Sequence, residues 1–413
     1  MNYSTKIKGS ALFYALMISM VVGIICTAFV LLRFTHLKEN SLIGGQLSLL
    51  SSVKSASALV KTMGHQCPQG WVDLFEEQKD SVFIRSGRWG AYTFGYVRAQ
   101  SHGHFEEQTL LYGSSLHASE KVALCMLNRY NNLSVCGNTR LVGKVMCPNA
   151  SVKRAYIEGQ NYTGEKLVYG EILESPKSLP AVSEEFLTGI QELSISQPSD
   201  SLVYYNSNIK EYRQSFEKPT LRVRIIEDSI RLTDVSFSGN VILESLGTIV
   251  YSADVTWENS LCFASDIFIE PEFKGKGQFF VRQHFQCDSL LTLDYPSFIG
   301  NFETDVSSDV VISIGKKSSV SGGMCLTDLQ SSDGLISMSE QSFVRGLIYS
   351  EDAVEIKQSM KGSVFCSRIY LGTSAAKYYN HLLNAELDAT ALRQDFWIPG
   401  IFQNEEWNEM LAL

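Results

Sequence analysis

From Val235 to Pro296 the chain reads VSFSGN, VILESLGT, IVYSAD, VTWENS, LCFASD, IFIEPE, FKGKGQ, FFVRQH, FQCDSL, LTLDYP. Apart from one longer block, each is six residues long and opens on an apolar residue: Val235, Val241, Ile249, Val255, Leu261, Ile267, Phe273, Phe279, Phe285 and Leu291. Two places later a second series runs Phe237, Leu243, Tyr251, Trp257, Phe263, Ile269, Gly275, Val281, Cys287 and Leu293. Residues i and i+2 of a strand share a face, so each block offers two inward side chains and then turns a corner. Three such sides make one coil of a parallel β-helix, and stacked coils bury a continuous apolar column. The competing fold, a set of antiparallel hairpins, needs Asn-Gly or Asp-Gly turns at alternate corners, and the stretch has none.

After Ser297 the period loosens, then resumes through Val310-Val311-Ile312-Ser313-Ile314, Gly346-Leu347-Ile348-Tyr349-Ser350, Val354-Glu355-Ile356 and Lys361-Gly362-Ser363-Val364-Phe365-Cys366. The expected solenoid covers 201–383. In its period and its Gly-x-Val corners this later stretch resembles the parallel-β cores of polymer-forming bactofilins. A solenoid must close its ends or present strand edges to a neighbour. The expected cap and tail is 384–413: a helix from Asn384 to Phe396, with Leu387, Leu392 and Phe396 among Glu386, Asp388 and Arg393, then Phe402 to Leu413 as a second cap or an amphipathic peptide for a partner groove.

Upstream, 64–200 reads as a β-rich module. Ser81 to Ile84, a turn at Ser86-Gly87-Arg88, and Trp89 to Val97 predict a hairpin. Further strands end near glycines, at Leu133 to Gly137, Leu141 to Gly143, Tyr156 to Gly159 and Leu167 to Gly170, which marks tight corners. Ser183-Glu184-Glu185 predicts a helix with a hydroxyl cap and acidic first turn, ending near Leu193. The polar run Ser194 to Asp200 is the boundary before the solenoid.

At the start of the chain, Gly9 to Leu32 lies uncharged between Lys8 and Arg33 and would span roughly 36 Å as a helix, enough to cross a bilayer. No small-x-small cleavage site follows it, so 10–33 reads as a retained single transmembrane helix. Residues 34–63 continue as an amphipathic stem: Leu49, Val53, Ala56 and Val60 recur at helical spacing, with a hinge or break expected at Gly44-Gly45. Lys6, Lys8 and the amino terminus on one side nearly balance Arg33 and Lys38 on the other.

Lys8-Gly9 followed by Ser10-Ala11-Leu12-Phe13-Tyr14-Ala15-Leu16 resembles the leader and first helix of type IV pilin-like proteins, especially minor pilins and pseudopilins. The resemblance covers about the first thirty residues. It implies a basic leader, 1–9, cut by a prepilin-type peptidase between Gly9 and Ser10. It also implies packing of the apolar helix, through Ala11, Tyr14, Ala15 and Gly23, against other pilin-like subunits on an assembly platform. Tyr14 stands where most major pilins carry a glutamate, a departure shared with some tip-located minor subunits.

The chain has 413 residues and a formal charge of −9, with 45% hydrophobic and 19% charged residues, so no cationic excess is present to neutralise phosphates and a nucleic-acid partner is excluded. Cys26 lies in the apolar helix. Cys67, Cys125, Cys136, Cys147, Cys262, Cys287, Cys325 and Cys366 are scattered without a C-x-x-C pair, and buried free thiols are expected, with a Cys136–Cys147 or Cys125–Cys147 bridge as the exception.

No nucleophile elbow, phosphate loop or H-E-x-x-H is present. His102-Gly103-His104 with Glu106-Glu107 is the compact ligand-like cluster; a solvated loop is the reading preferred over a metal site, and no metal or cofactor is expected. Asp254, Glu258, Asp266, Glu270, Glu272, Lys274, Lys276 and Arg282 fall on successive blocks, which is either a carbohydrate-facing strip or the wet side of a coil. The expected fold class is mainly β: an N-terminal transmembrane helix, a β-rich middle module and a C-terminal parallel β-helix. The expected function is that of a membrane-anchored envelope assembly protein, a minor pilin-like or pseudopilin-like subunit in the inner membrane with its bulk in the periplasm. It is not read as an enzyme. The alternatives are a static envelope scaffold or adhesin with an uncleaved anchor and, third, a β-helix enzyme acting on glycans.

Overall fold

The computed structural model describes residues 9–64, 67–74, 81–101, 103–114, 121–127, 131–302, 309–327, 329, 333–392, 396–402 and 407–412. Residues 1–8 of the expected leader lie outside them. The chain divides into two compact units, one of Met1–Ala58, Gln69–Ile84 and Val97–Glu107, the other of Leu59–Pro68, Arg85–Tyr96 and Gln108–Leu413.

In the first unit the main element is helix α1, Gly9–Met63, which runs unbroken past Gly44-Gly45. The expected hinge is absent: the chain on both sides of these glycines favours helix, and the pair costs only about 1 kcal/mol per residue against alanine. The apolar side chains from Leu12 to Ile43 are largely exposed, whereas Leu49, Val53 and Ala56 are buried. The stripe read from the sequence is therefore the buried face of the stem. In the same unit Gly70–Val72 pairs antiparallel with Val82–Ile84.

In the second unit α1 ends with Val60 against Gly95 and Tyr112, where any Cβ on Gly95 would clash with Val60. The expected hairpin turn is displaced. The strand runs unbroken from Ser81 to Trp89 and turns at Gly90-Ala91, because Gly90 alone there holds a left-handed φ of 61°.

The rest of the second unit is a parallel β-solenoid of about 12 turns. Its first side is a ladder of side chains in register: Val203, Val223, Leu243, Cys262, Phe279, Ile299, Met324, Ile348, Val364, Leu124, Val145 and Ile172. The second side stacks Ile230, Ile249, Ile267, Phe285, Ile312, Ile336, Val354 and Ile369. The third stacks Tyr212, Phe237, Trp257, Gly275, Leu293, Val320, Val344, Met360, Leu387 and Leu141. These three ladders enclose the core, and the hexad positions supply it except in one coil. There the strand slips between Glu258 and Ser260, so Cys262 and Ala264 point inward and Leu261 and Phe263 point out.

Outward does not mean wet on the first side. Val241–Ser245 and Val122–Met126 are buried at every position, as parallel strands covered on both faces must be. The outer layer is aromatic: Phe263 stacks on Phe280 at 4.9 Å, and Phe280 meets Phe298 at 5.6 Å. Helix α2, Glu184–Ser194, lies over it through Phe186, whose ring is 6.3 Å from that of Phe298. The predicted start and end of α2 hold. Its Ser183 hydroxyl, however, makes no cap bond; the Ser183 backbone N–H donates to the Ile401 carbonyl instead.

Two expectations about the ends are corrected. Asn384 to Phe396 is not a capping helix: Glu386–Asp388 is a solenoid rung paired with both Ser359–Lys361 and Arg140–Val142, so Leu387 is worth more in the column than on a helix face. Residues 393–395 lie outside the described residues. The stack is extended instead by 121–127 and 131–174, which the sequence reading placed in a separate module. Val122–Met126 and Lys144–Cys147 continue the first side beyond Gly362–Cys366, and Ile172–Glu174 ends it. The spatial order of coils is thus a permutation of the chain order. From Glu174 a strap, 175–200, returns along the first side to Ser201 at the opposite end, about 50 Å away at roughly 4.8 Å per rung. Trp407–Ala412 pairs antiparallel with Leu110–Ser114, so the backbone of the tail is a sheet edge strand.

The column is closed by a tyrosine at each end. Tyr205 stacks on Tyr212 at 6.1 Å, and Tyr162 packs on the core with the Arg154 guanidinium 5.8 Å from its ring. The backbone edges remain open: Ser201–Tyr204 and Ile172–Glu174 are exposed throughout, and among the described residues each pairs with one neighbour.

Candidate functional site

Gly9 and Ser10 open helix α1; their side chains and that of Ala11 lie outside the described residues. Tyr14 is 62% exposed, with its ring 6.1 Å from Phe13. At about 100° per residue Gly23 falls on the side of the helix opposite Tyr14. A Cβ on Gly23 would meet nothing within 4 Å, and the Thr27 hydroxyl donates to the Gly23 carbonyl, a polar group satisfied within the helix. The helix is long and apolar enough to cross a membrane: its most apolar window has a mean hydropathy of 2.7, none of it buried. It can serve as a single membrane span or a signal anchor.

A second candidate site lies at the corner between the first and second sides, near the Ser201 end of the stack. Tyr204, Arg224, Glu244 and Phe263 stand in register on successive rungs, pointing outward. Beside them Ile225–Asp228 and Ser245–Gly247 turn the corner, and Arg282 and Phe302 complete a pocket of about 500 Å3. Its floor, Ile225, Phe263 and Phe302, is buried, whereas Ile226 and Leu246 at the mouth are 73% and 84% exposed. Arg224 donates to Glu244 at 2.6 Å and to the Ser196 hydroxyl at 2.9 Å. Arg282 lies 4.6 Å from the Phe302 ring centre.

Behind the pocket, Arg222 fastens the strap. Only 1% exposed, its guanidinium donates to Asp200, to Glu244 at 3.1 Å, and to the Leu193 and Ile195 carbonyls at 2.9 and 2.8 Å, which are left free by the end of α2. With Arg224 the cluster holds two cations and two carboxylates, so no net charge is buried.

Part of the charged strip is taken up in side-chain contacts. Glu270 accepts from Arg231 at 2.6 and 2.8 Å, Asp266 meets His284 at 2.7 Å, and Lys276 lies 3.8 Å from Glu258. Glu270 is held below the usual carboxylate range by the Arg231 hydrogen bond, and Asp254 by the Ser252 hydroxyl. These groups can carry negative charge at neutral pH; neither is raised as a proton donor in glycoside chemistry would be.

His102 lies outside the described residues; His104 to Glu107 is an exposed strand segment. Among the described residues no three His, Cys, Asp or Glu side chains converge as metal ligands. All nine cysteines are free, including Cys125, Cys136 and Cys147, so the bridges considered as exceptions are not formed. Burial pushes the Cys125 and Cys262 thiols up to about 12.

Sequence reasoning missed the pocket and the Arg222 cluster. The available signal was an aliphatic residue at two successive corners, Ile226 and Leu246, where a turn ordinarily carries polar residues.

No protein-family model matches the chain, and it matches no curated protein and no solved structure. Fold and site together define a β-solenoid protein carrying an N-terminal apolar helix long enough for a membrane span or signal anchor.

Proposed function

We propose that this is a single-span membrane-anchored envelope protein that acts by assembly, a minor pilin-like or pseudopilin-like subunit with a β-solenoid head. The observation that carries the reading is the contrast along α1: its apolar residues from Leu12 to Ile43 are exposed, and burial begins only at Leu49. So large an exposed apolar surface needs lipid or equivalent helices around it, where packing rather than water exclusion holds a bundle. The unbroken continuation of the anchor into a buried stem accords with the pilin-like resemblance. The head is a rigid column with two open backbone edges, a surface for protein contacts. In this reading the bulk of the chain lies on the periplasmic side of the inner membrane. A prepilin-type peptidase and an assembly platform act on the anchor.

Sequencing the mature amino terminus of the protein from its native membrane tests the processing. Ser10 as the first residue supports the pilin-like reading. A start at Met1 overturns it and leaves an uncleaved scaffold.

A further inference from the structure

We infer that the corner pocket between the first and second sides receives an apolar side chain from a basic peptide segment of a partner protein. This goes beyond the anchored-assembly reading and stands without it. The floor is apolar and closed, and a volume of about 500 Å3 accommodates a leucine or phenylalanine side chain with part of its backbone. Ile226 and Leu246 stand at the mouth on adjacent coils, exposed where a corner gains nothing from them in the free protein.

Charge decides what accompanies the apolar group. Both cations of the pocket are engaged, Arg224 with Glu244 and Arg282 over the Phe302 ring. The carboxylates of Glu227 and Asp228, exposed in the lining, form no ion pair among the described residues. The uncommitted charge is therefore negative, matching a lysine or arginine next to the inserted side chain. An anionic lipid surface would be repelled by the same carboxylates. A glycan would set its hydroxyls against two aliphatic side chains that offer no hydrogen bond. The chain's net charge of −9 favours encounter with a basic partner.

The test uses the full-length protein in zwitterionic-lipid nanodiscs and a fluorescent hexapeptide that alternates phenylalanine or leucine with lysine. Its glutamate counterpart and a chitin tetrasaccharide serve as competing probes. The expected result is saturable anisotropy with the lysine peptide, absent with empty nanodiscs. Glu227→Gln with Asp228→Asn, and separately Leu246→Ser, should weaken it about tenfold. All three positions are exposed, so an unchanged melting curve shows that the fold is intact. Equal binding of the glutamate peptide, binding indifferent to both variants, binding of the tetrasaccharide alone, or no saturable binding would each overturn the inference.

Discussion

Leu124 sits in register against Val364 on the first side of the solenoid, although the two residues come from opposite ends of the head sequence. The segment that looks like a separate module is thus the last part of the column, and its apolar residues are buried by strands made much later in the chain. Leu124→Ala should cost about 2–5 kcal/mol of unfolding free energy. Because the coils share one core, chemical denaturation should remain a single transition, with amides of 121–174 and 201–388 losing hydrogen-exchange protection together. Two separated transitions would mean independent domains.

The corner glycines make a second test. Gly322, Gly346 and Gly362 hold φ near 130–140°, and a Cβ on Gly346 would lie 1.8 Å from the Gly322 carbonyl oxygen of the preceding coil. Gly346→Ala must combine a disfavoured backbone with a clash against main chain, and a loss of roughly 3 kcal/mol or more is expected by thermal or urea unfolding. Exposed Gly159, where a Cβ meets nothing within 4 Å, is the control and should lose less.

Gln278 holds the displaced hairpin turn. Its amide oxygen accepts from Ala91 N–H at 2.7 Å and its NH2 donates to the Trp89 carbonyl at 2.8 Å, both in a buried site. Gln278→Ala leaves both backbone groups unpaired and should cost about 1–3 kcal/mol, whereas Gln278→Glu keeps the acceptor and loses the donor. Differential exchange of the Ala91 amide checks it.

Removing Arg222 takes the guanidinium from Asp200, leaves Glu244 with Arg224 alone and frees the end of α2. Arg222→Ala is expected to cost about 3–5 kcal/mol and to open the strap near Ile195 to limited proteolysis before the coils are cut. Arg222→Lys should rescue only part of this, since one ammonium cannot serve four acceptors spread around a planar fork.

The thiols set an alkaline limit. Burial raises Cys125 and Cys262 to about 12 from an ordinary 9.0, so the unfolded chain loses these protons first. Their contribution to stability is present in full below pH 9 and is lost as pH rises from 9 toward 12. Thermal midpoints should fall above pH 9, less steeply in Cys125→Ala. Glu270 works at the other end: its depressed value means that its Arg231 pairing is present above about pH 4.5 and fades as pH falls through the folded value.

The apolar helix and the hexads were legible because each is a periodic pattern with one buried outcome. Phe237, Trp257 and Leu293 fall where the period puts them. What the period could not show was order in space. Nothing local in Leu124 or Leu387 says which rung each will pair with, and helix propensity around Glu386 lost to ladder bonds on both sides. The slip at Asn259 was hidden too, since Leu261 and Cys262 are both apolar and either could face inward. At the slip Asn259 holds a left-handed φ of 52°, and its carbonyl accepts the Trp89 indole N–H at 3.3 Å. Of the candidate sites, the apolar helix was visible as composition. The corner pocket needed residues from six coils brought together by stacking.

The most direct test of the anchored reading is extraction of the full-length protein from native membranes with alkaline carbonate, followed by flotation. The expected result is that it resists carbonate, floats with lipid and is released by detergent. Recovery in the soluble fraction without detergent would contradict the anchored reading.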